Sequence, residues 1–145
     1  DTGELRFIED GKVVRVVNTL KENNTFYLKL GDVEGFDWSP EAPLHLRVDA
    51  PRRHAIQGHH TVTHLLHWAL HEIVSRDAAQ KGSYVGPDKL TFDFSSSALT
   101  PEQKRDVEKL VNEKIAENAP VSWTEVPYAE AKKRKEIQQF FGEVR

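Results

Sequence analysis

Four short apolar or alternating stretches occupy the first fifty positions: Leu5 to Ile8, Val13 to Val17, Thr25 to Leu30 and Leu44 to Val48. A period of two puts alternate side chains on one face, so these stretches predict antiparallel strands. Between the first two, Asp10-Gly11 predicts a two-residue hairpin turn, because glycine supplies the positive φ such a turn requires. Gly35 to Pro43, with Pro40 and Pro43, predicts a loop. Pro51 opens a helical region, since its fixed φ suits a first helical turn.

From Gly58 to about Arg76 the period changes to that of a helix. At about 100° per residue, Val62, Leu66, Ala69, Leu70 and Ile73 share one face, while His60, His64, His67 and His71 fall within roughly 60° of one another on the other side. Gly82 to Val85 and Leu90 to Phe94 predict two strands joined by Gly86-Pro87-Asp88. Thr100-Pro101-Glu102-Gln103 has the residues of a capping box with proline at the first helical position. The helix it starts runs to about Asn118 with Val107, Leu110, Val111 and Ile115 as its core stripe. Val121 to Val126 alternates as a strand, and Tyr128 to about Phe140 predicts a last helix. The order predicts an α+β fold: a small antiparallel β module over residues 1–50, then helices packed on an antiparallel sheet over 51–145. Trp68, Phe92, Phe94 and Trp123 are expected in the core.

Composition narrows the class without naming a function. The 145 residues include no cysteine, which excludes a disulfide framework or a thiolate metal site made within this chain and agrees with a reducing cytosol. No run of about 20 apolar residues exists, so the expectation is a soluble, cytoplasmic protein with no membrane partner. The net charge of -3 does not advertise nucleic-acid binding, although a local basic patch on an acidic chain still grips phosphate. An opening of Asp1-Thr2-Gly3 and the absence of methionine read as a fragment of a longer protein.

The histidine stripe is the first candidate chemistry. His60 and His64 lie one turn apart on a single face, the spacing two ligands of one zinc ion need. The same spacing also serves packing, and His67 and His71 are equally consistent with a polar surface. A zinc protease carries glutamate directly after the first histidine, whereas this chain has Thr61. A catalytic zinc takes three protein ligands and an open position, so two histidines require partners from elsewhere.

Several segments in order resemble one family. Gly58-His59-His60-Thr61-Val62-Thr63-His64-Leu65-Leu66-His67 resembles the first zinc motif of the alanyl-tRNA synthetase editing domain. Gln80-Lys81-Gly82-Ser83-Tyr84-Val85 is similar to the family's glutamine-containing strand, and Leu90-Thr91-Phe92-Asp93-Phe94-Ser95 to the strand that follows it. Val107 to Asn112, with Ile115 and Pro120, resembles the next helix, and Phe141-Gly142-Glu143 the segment before the second zinc motif. That second motif, a cysteine and a histidine, does not follow. His59 replaces a usual asparagine, and Ser96 stands where a histidine is common.

The resemblance implies hydrolysis of seryl or glycyl esters of alanine tRNA by a class II synthetase's editing domain, with zinc held by His60 and His64. An alanine pocket cannot exclude glycine and rejects one added hydroxyl only weakly, so a second sieve is needed. Thr63 and Gln80, with Ser83 behind them, are the candidates for reading the substrate hydroxyl; a helix threonine bonding back to a carbonyl and a surface amide are the plainer alternatives. Lys132, Lys133, Arg134 and Lys135, together with Arg52, Arg53 and Lys81, are candidates for tRNA phosphate contacts, though such a run also makes an ordinary solvated helix face. With two ligands, zinc is expected to be absent or weakly held and this stretch inactive alone. The partners implied are alanine tRNA and the remainder of the synthetase, whose parent carries the ATP-binding ligase chemistry. The competing readings are a threonyl-type or free-standing editing protein and a non-catalytic tRNA-binding module.

Overall fold

Alternation in the first fifty residues resolves into four strands: β1 (Gly3–Phe7), β2 (Val13–Glu22), β3 (Thr25–Leu30) and β4 (Leu44–Val48). The structure, a computed structural model, describes residues 1–35, 39 and 41–134. The strands form one antiparallel sheet in the order β3-β2-β1-β4. Leu5 and Phe7 of β1 and Val14 and Val16 of β2 share the buried face, and Leu28, Leu30 and Ala42 pack against them.

The turns differ from the expectation at one place. Gly11 does take a positive φ of 70°, but Asp10, the first central residue of the expected turn, does not, and both mirror-image two-residue turns need it there. Instead Phe7 N–H donates to Lys12 O at 2.9 Å and Gly11 N–H to Phe7 O at 3.0 Å, closing a longer loop. The two-residue hairpin lies between β2 and β3, where Glu22 pairs Thr25 and Asn23 takes φ 53°. Asparagine tolerates that region better than other residues with a Cβ.

Helix α1 (Ala50–Ile73) begins ahead of Pro51 and runs without a break through Gly58. Asp49 caps it: its carboxylate accepts the Arg52 N–H at 3.1 Å and its carbonyl the Arg53 N–H at 3.0 Å. Strands β5 (Ala79–Val85) and β6 (Leu90–Ser95) form a second, two-stranded sheet, with the Gly86 N–H donating to Lys89 O at 2.9 Å across the turn. Helix α2 (Pro101–Ala116) has the capping box its sequence predicts, with Thr100 as N-cap and Gln103 returning to the Thr100 N–H. Ala69, Leu70, Val107 and Val111 form the second core, with Val62, Leu66, Trp68, Phe92 and Phe94 packed on it. Ile115, placed in the core stripe, is exposed in the last turn.

The C-terminal expectations are corrected. Val121 to Val126 forms no strand; Val121 is 76% and Trp123 84% exposed, so Trp123 is not a core residue. Alternation alone does not make a strand, because the backbone also needs a partner for its N–H and C=O groups, and among the described residues no ladder reaches the segment. Helix α3 (Tyr128–Ala131) is a single turn, and the predicted continuation over 135–140 lies outside the described residues. The chain divides into two compact units, Asp1–Gln57 and Gly58–Arg145. Among the described residues no helix is long and apolar enough to cross a membrane.

Candidate functional site

From His59 onward, the histidines of α1 fall into two groups with different work. His67, 3% exposed, and His71 both donate from Nε2 to the carbonyl oxygen of Ala78, at 3.1 and 2.7 Å. A carbonyl only accepts, so both rings carry the proton on Nε2. The His67 ring also packs on Phe92, with centroids 5.1 Å apart. His59 Nδ1 donates to Gly86 O at 2.7 Å. These three residues anchor α1 to the two ends of β5, at Ala78 before it and Gly86 after it. Neither His67 nor His71 is the surface residue its polar stripe allowed.

His60 and His64 stand outside this network. Their ring centroids are 5.0 Å apart in an edge-on arrangement. Burial, and secondarily the charge His60 would carry, hold the His64 pKa below the usual imidazole value. The lowered pKa favours the neutral ring, the state a metal ligand needs. The pair fits a divalent cation as two of its ligands. Among the described residues no group of three or more His, Cys, Asp or Glu converges to complete such a site.

Thr63, on the turn between them, is 6% exposed and donates its hydroxyl to His59 O at 2.9 Å. Its oxygen keeps acceptor capacity. Gln80 and Ser83 are three positions apart, which in a regular strand would send them to opposite faces. The ladder shows why they meet: Gln80 pairs Phe94, Gly82 pairs Asp93 and Ser83 pairs Phe92, leaving Lys81 as the extra residue of a bulge. Gln80 and Ser83 therefore share the face of Phe94 and Phe92, and Gln80 Nε2 donates to Ser83 Oγ at 3.0 Å. No sequence signal except Gly82 hinted at the bulge.

The described basic candidates differ in their local partners. Arg53 is bound by the Asp1 carboxylate, through Nε at 3.3 Å and through a closer approach of its terminal nitrogen. Arg134 pairs with Glu130, and Lys132 lies over the Tyr128 ring at 4.7 Å. Arg52 is half-buried, Lys81 and Lys133 are exposed, and Lys135 lies outside the described residues.

No family model matches the chain. Curated relatives do. The chain is 52% identical over 109 residues to the alanine-tRNA ligase of Akkermansia muciniphila, an alignment covering 75% of this chain and 12% of that protein. It is 43% identical over 136 residues to that of Methylacidiphilum infernorum, covering 92% and 14%. With the alanine-tRNA ligase of Bacteroides thetaiotaomicron it shares 41% identity over 145 residues, covering 99% and 16%. The histidine helix and its bulged hairpin thus sit in a chain of the tRNA ligase class. Within that class it belongs to the alanine-tRNA ligase family, and it spans only 12% to 16% of the length of these relatives.

Proposed function

We propose that this chain contributes the histidine half of an editing site that hydrolyses seryl or glycyl esters of alanine tRNA, within a cytoplasmic alanine-tRNA ligase. The observation that carries the reading is the His60–His64 pair, one turn apart and edge-on at 5.0 Å, while three neighbouring histidines are taken up by backbone carbonyls. Among the described residues, His59, His67 and His71 each meet a backbone carbonyl, whereas the contact shown for His60 and His64 is with each other.

His60 and His64 would hold a zinc ion, completed by ligands from elsewhere in the ligase. A zinc ion there supplies Lewis acidity for ester chemistry. The rest falls to this chain's residues. Anchoring at Ala78 and Gly86 fixes β5 along α1, so Gln80 and Ser83 are presented on the hairpin face that Phe92 packs against His67. The Gln80 amide nitrogen is engaged by Ser83, which leaves its carbonyl oxygen to accept the substrate serine hydroxyl. Alanine has no hydroxyl, so a covered Gln80 would lose that partner, and the preference follows from the missing bond. Thr63 holds the turn that carries both imidazoles.

Single-turnover hydrolysis of seryl-tRNA by the full-length ligase tests this. Wild type is expected to deacylate, and Gln80→Ala to lower the rate ratio of seryl over alanyl ester by roughly tenfold, the worth of one neutral hydrogen bond. A zinc-loaded ligase without hydrolysis would leave a tRNA-binding module instead.

A further inference from the structure

The sheet of the β module has a second face, opposite its apolar core. Leu5, Phe7, Val14 and Val16 point into the core, so the ladder register assigns the alternate residues to the opposite side. There Glu4 lies between Arg15 on β2 and Arg47 on β4, and Arg6 lies beside His45. Val17 is the extra residue of a bulge, after which Asn18 pairs Lys29 and Leu20 pairs Tyr27 on that same side. The face thus gathers Arg6, Arg15, Lys29 and Arg47 against Glu4 and Glu22, an excess of cations in a chain whose net charge is -3.

These cations are available. Glu4 approaches Arg6 and Arg47 only at 3.9 and 3.8 Å, long exposed pairs that hold little. No carboxylate among the described residues lies within ion-pair distance of Arg15 or Lys29. Across the ladder from Arg15 is Gly31, whose N–H donates to Arg15 O at 2.8 Å and which has no side chain to cover the guanidinium. Tyr27 is 52% exposed on the same face. A groove of about 640 Å³ lined by Glu4, Val13, Arg15, Arg47 and Asp49 opens at the end of the face. The Asp49 carboxylate in it is engaged by the Arg52 N–H.

We propose that this face of the β module binds RNA, with Arg15, Lys29 and Arg47 on backbone phosphates and Tyr27 as a stacking platform for a base. The interleaving of basic residues with an exposed aromatic on an open sheet is what a polyanion with flat bases fits, whereas an acidic peptide has no use for the ring. The inference rests on the tRNA ligase reading and extends it to a surface of the β module.

The test is fluorescence anisotropy of a labelled alanine tRNA transcript, titrated with the chain between about 50 and 200 mM salt. For the triple variant Arg15→Gln, Lys29→Gln and Arg47→Gln, binding weakens at least tenfold, and the slope of log affinity on log salt falls by about 2, at about 0.7–0.9 for each phosphate no longer neutralised. Tyr27→Ala weakens binding without changing the slope, and Lys104→Gln with Lys109→Gln leaves both unchanged. In the wild-type chain, amide NMR shifts on titration concentrate at β2, β3 and β4, a readout that needs no variant. The proposal is overturned if wild type does not bind, if the triple variant keeps the slope, if the shifts fall elsewhere, or if polyglutamate competes as well as RNA. Hydrolysis of seryl-tRNA by the full-length ligase is read separately. Deacylation with an unaltered triple variant sinks this inference alone, and RNA binding at this face without deacylation sinks the editing reading alone.

Discussion

Replacing His67 and His71 by leucine, singly and together, tests whether the two imidazoles share one structural task. Both donate to the Ala78 carbonyl, and Ala78 is 1% exposed, so that oxygen depends on the two rings. Leucine nearly preserves volume, which keeps the cavity contribution small and leaves the Phe92 face covered. In either single variant the remaining histidine still satisfies the carbonyl, and the expected loss is one net hydrogen bond, about 1 kcal/mol. In the double variant a buried carbonyl has no donor, which adds a desolvation penalty of about 1–3 kcal/mol beyond the sum of the singles. Urea unfolding followed by far-UV circular dichroism reads all four proteins. Losses that add within about 0.5 kcal/mol would refute the shared-acceptor argument.

Further predictions follow from other parts of the fold. The pKa values of His64 and His67 are lowered, chiefly by burial in both cases, with the Ala78 carbonyl partly opposing the shift at His67. Unfolding restores the value of 6.5, so the unfolded chain binds more protons as pH falls below it. Stability should therefore be flat above pH 7 and decline on acidification through 6.5; a melting temperature that rises on acidification contradicts this. Gly3→Ala places a Cβ 2.1 Å from the Arg47 carbonyl oxygen, so it should separate β1 from β4 and cost about 2 kcal/mol or more by thermal melt. Thr100→Ala removes the hydroxyl half of the capping box, which accepts the Gln103 N–H, and should cost about 1 kcal/mol, with no change in zinc binding. Calorimetric titration of the chain alone should show weak zinc binding that His64→Ala abolishes, whereas stoichiometric, chelator-resistant zinc would contradict a two-ligand site.

Much of the fold was legible because its signals are local. The capping box of α2, the apolar stripe of α1 and the alternation of Leu5, Phe7, Val14 and Val16 each state an element and its buried face within a few residues. The failures have one physical origin, since strand identity and register depend on partners distant in sequence. Val121 to Val126 alternates but meets no ladder, and Asn23-Asn24 rather than Asp10-Gly11 makes the two-residue hairpin. The candidate site was legible in its residues but not in its division of labour. Spacing groups His60, His64, His67 and His71 together, and only the position of Ala78 shows that the last two are structural. The bulge at Lys81 that unites Gln80 with Ser83 has no dependable sequence signature.

The central claim is that His60 and His64 are the zinc-holding half of an editing site. Single-turnover hydrolysis of seryl-tRNA by the full-length ligase, with zinc content measured on the same samples, tests it most directly. The account predicts that His60→Ala with His64→Ala loses the zinc and brings deacylation to the uncatalysed rate, while charging of alanine persists. A variant that hydrolyses seryl-tRNA as fast as wild type would contradict it.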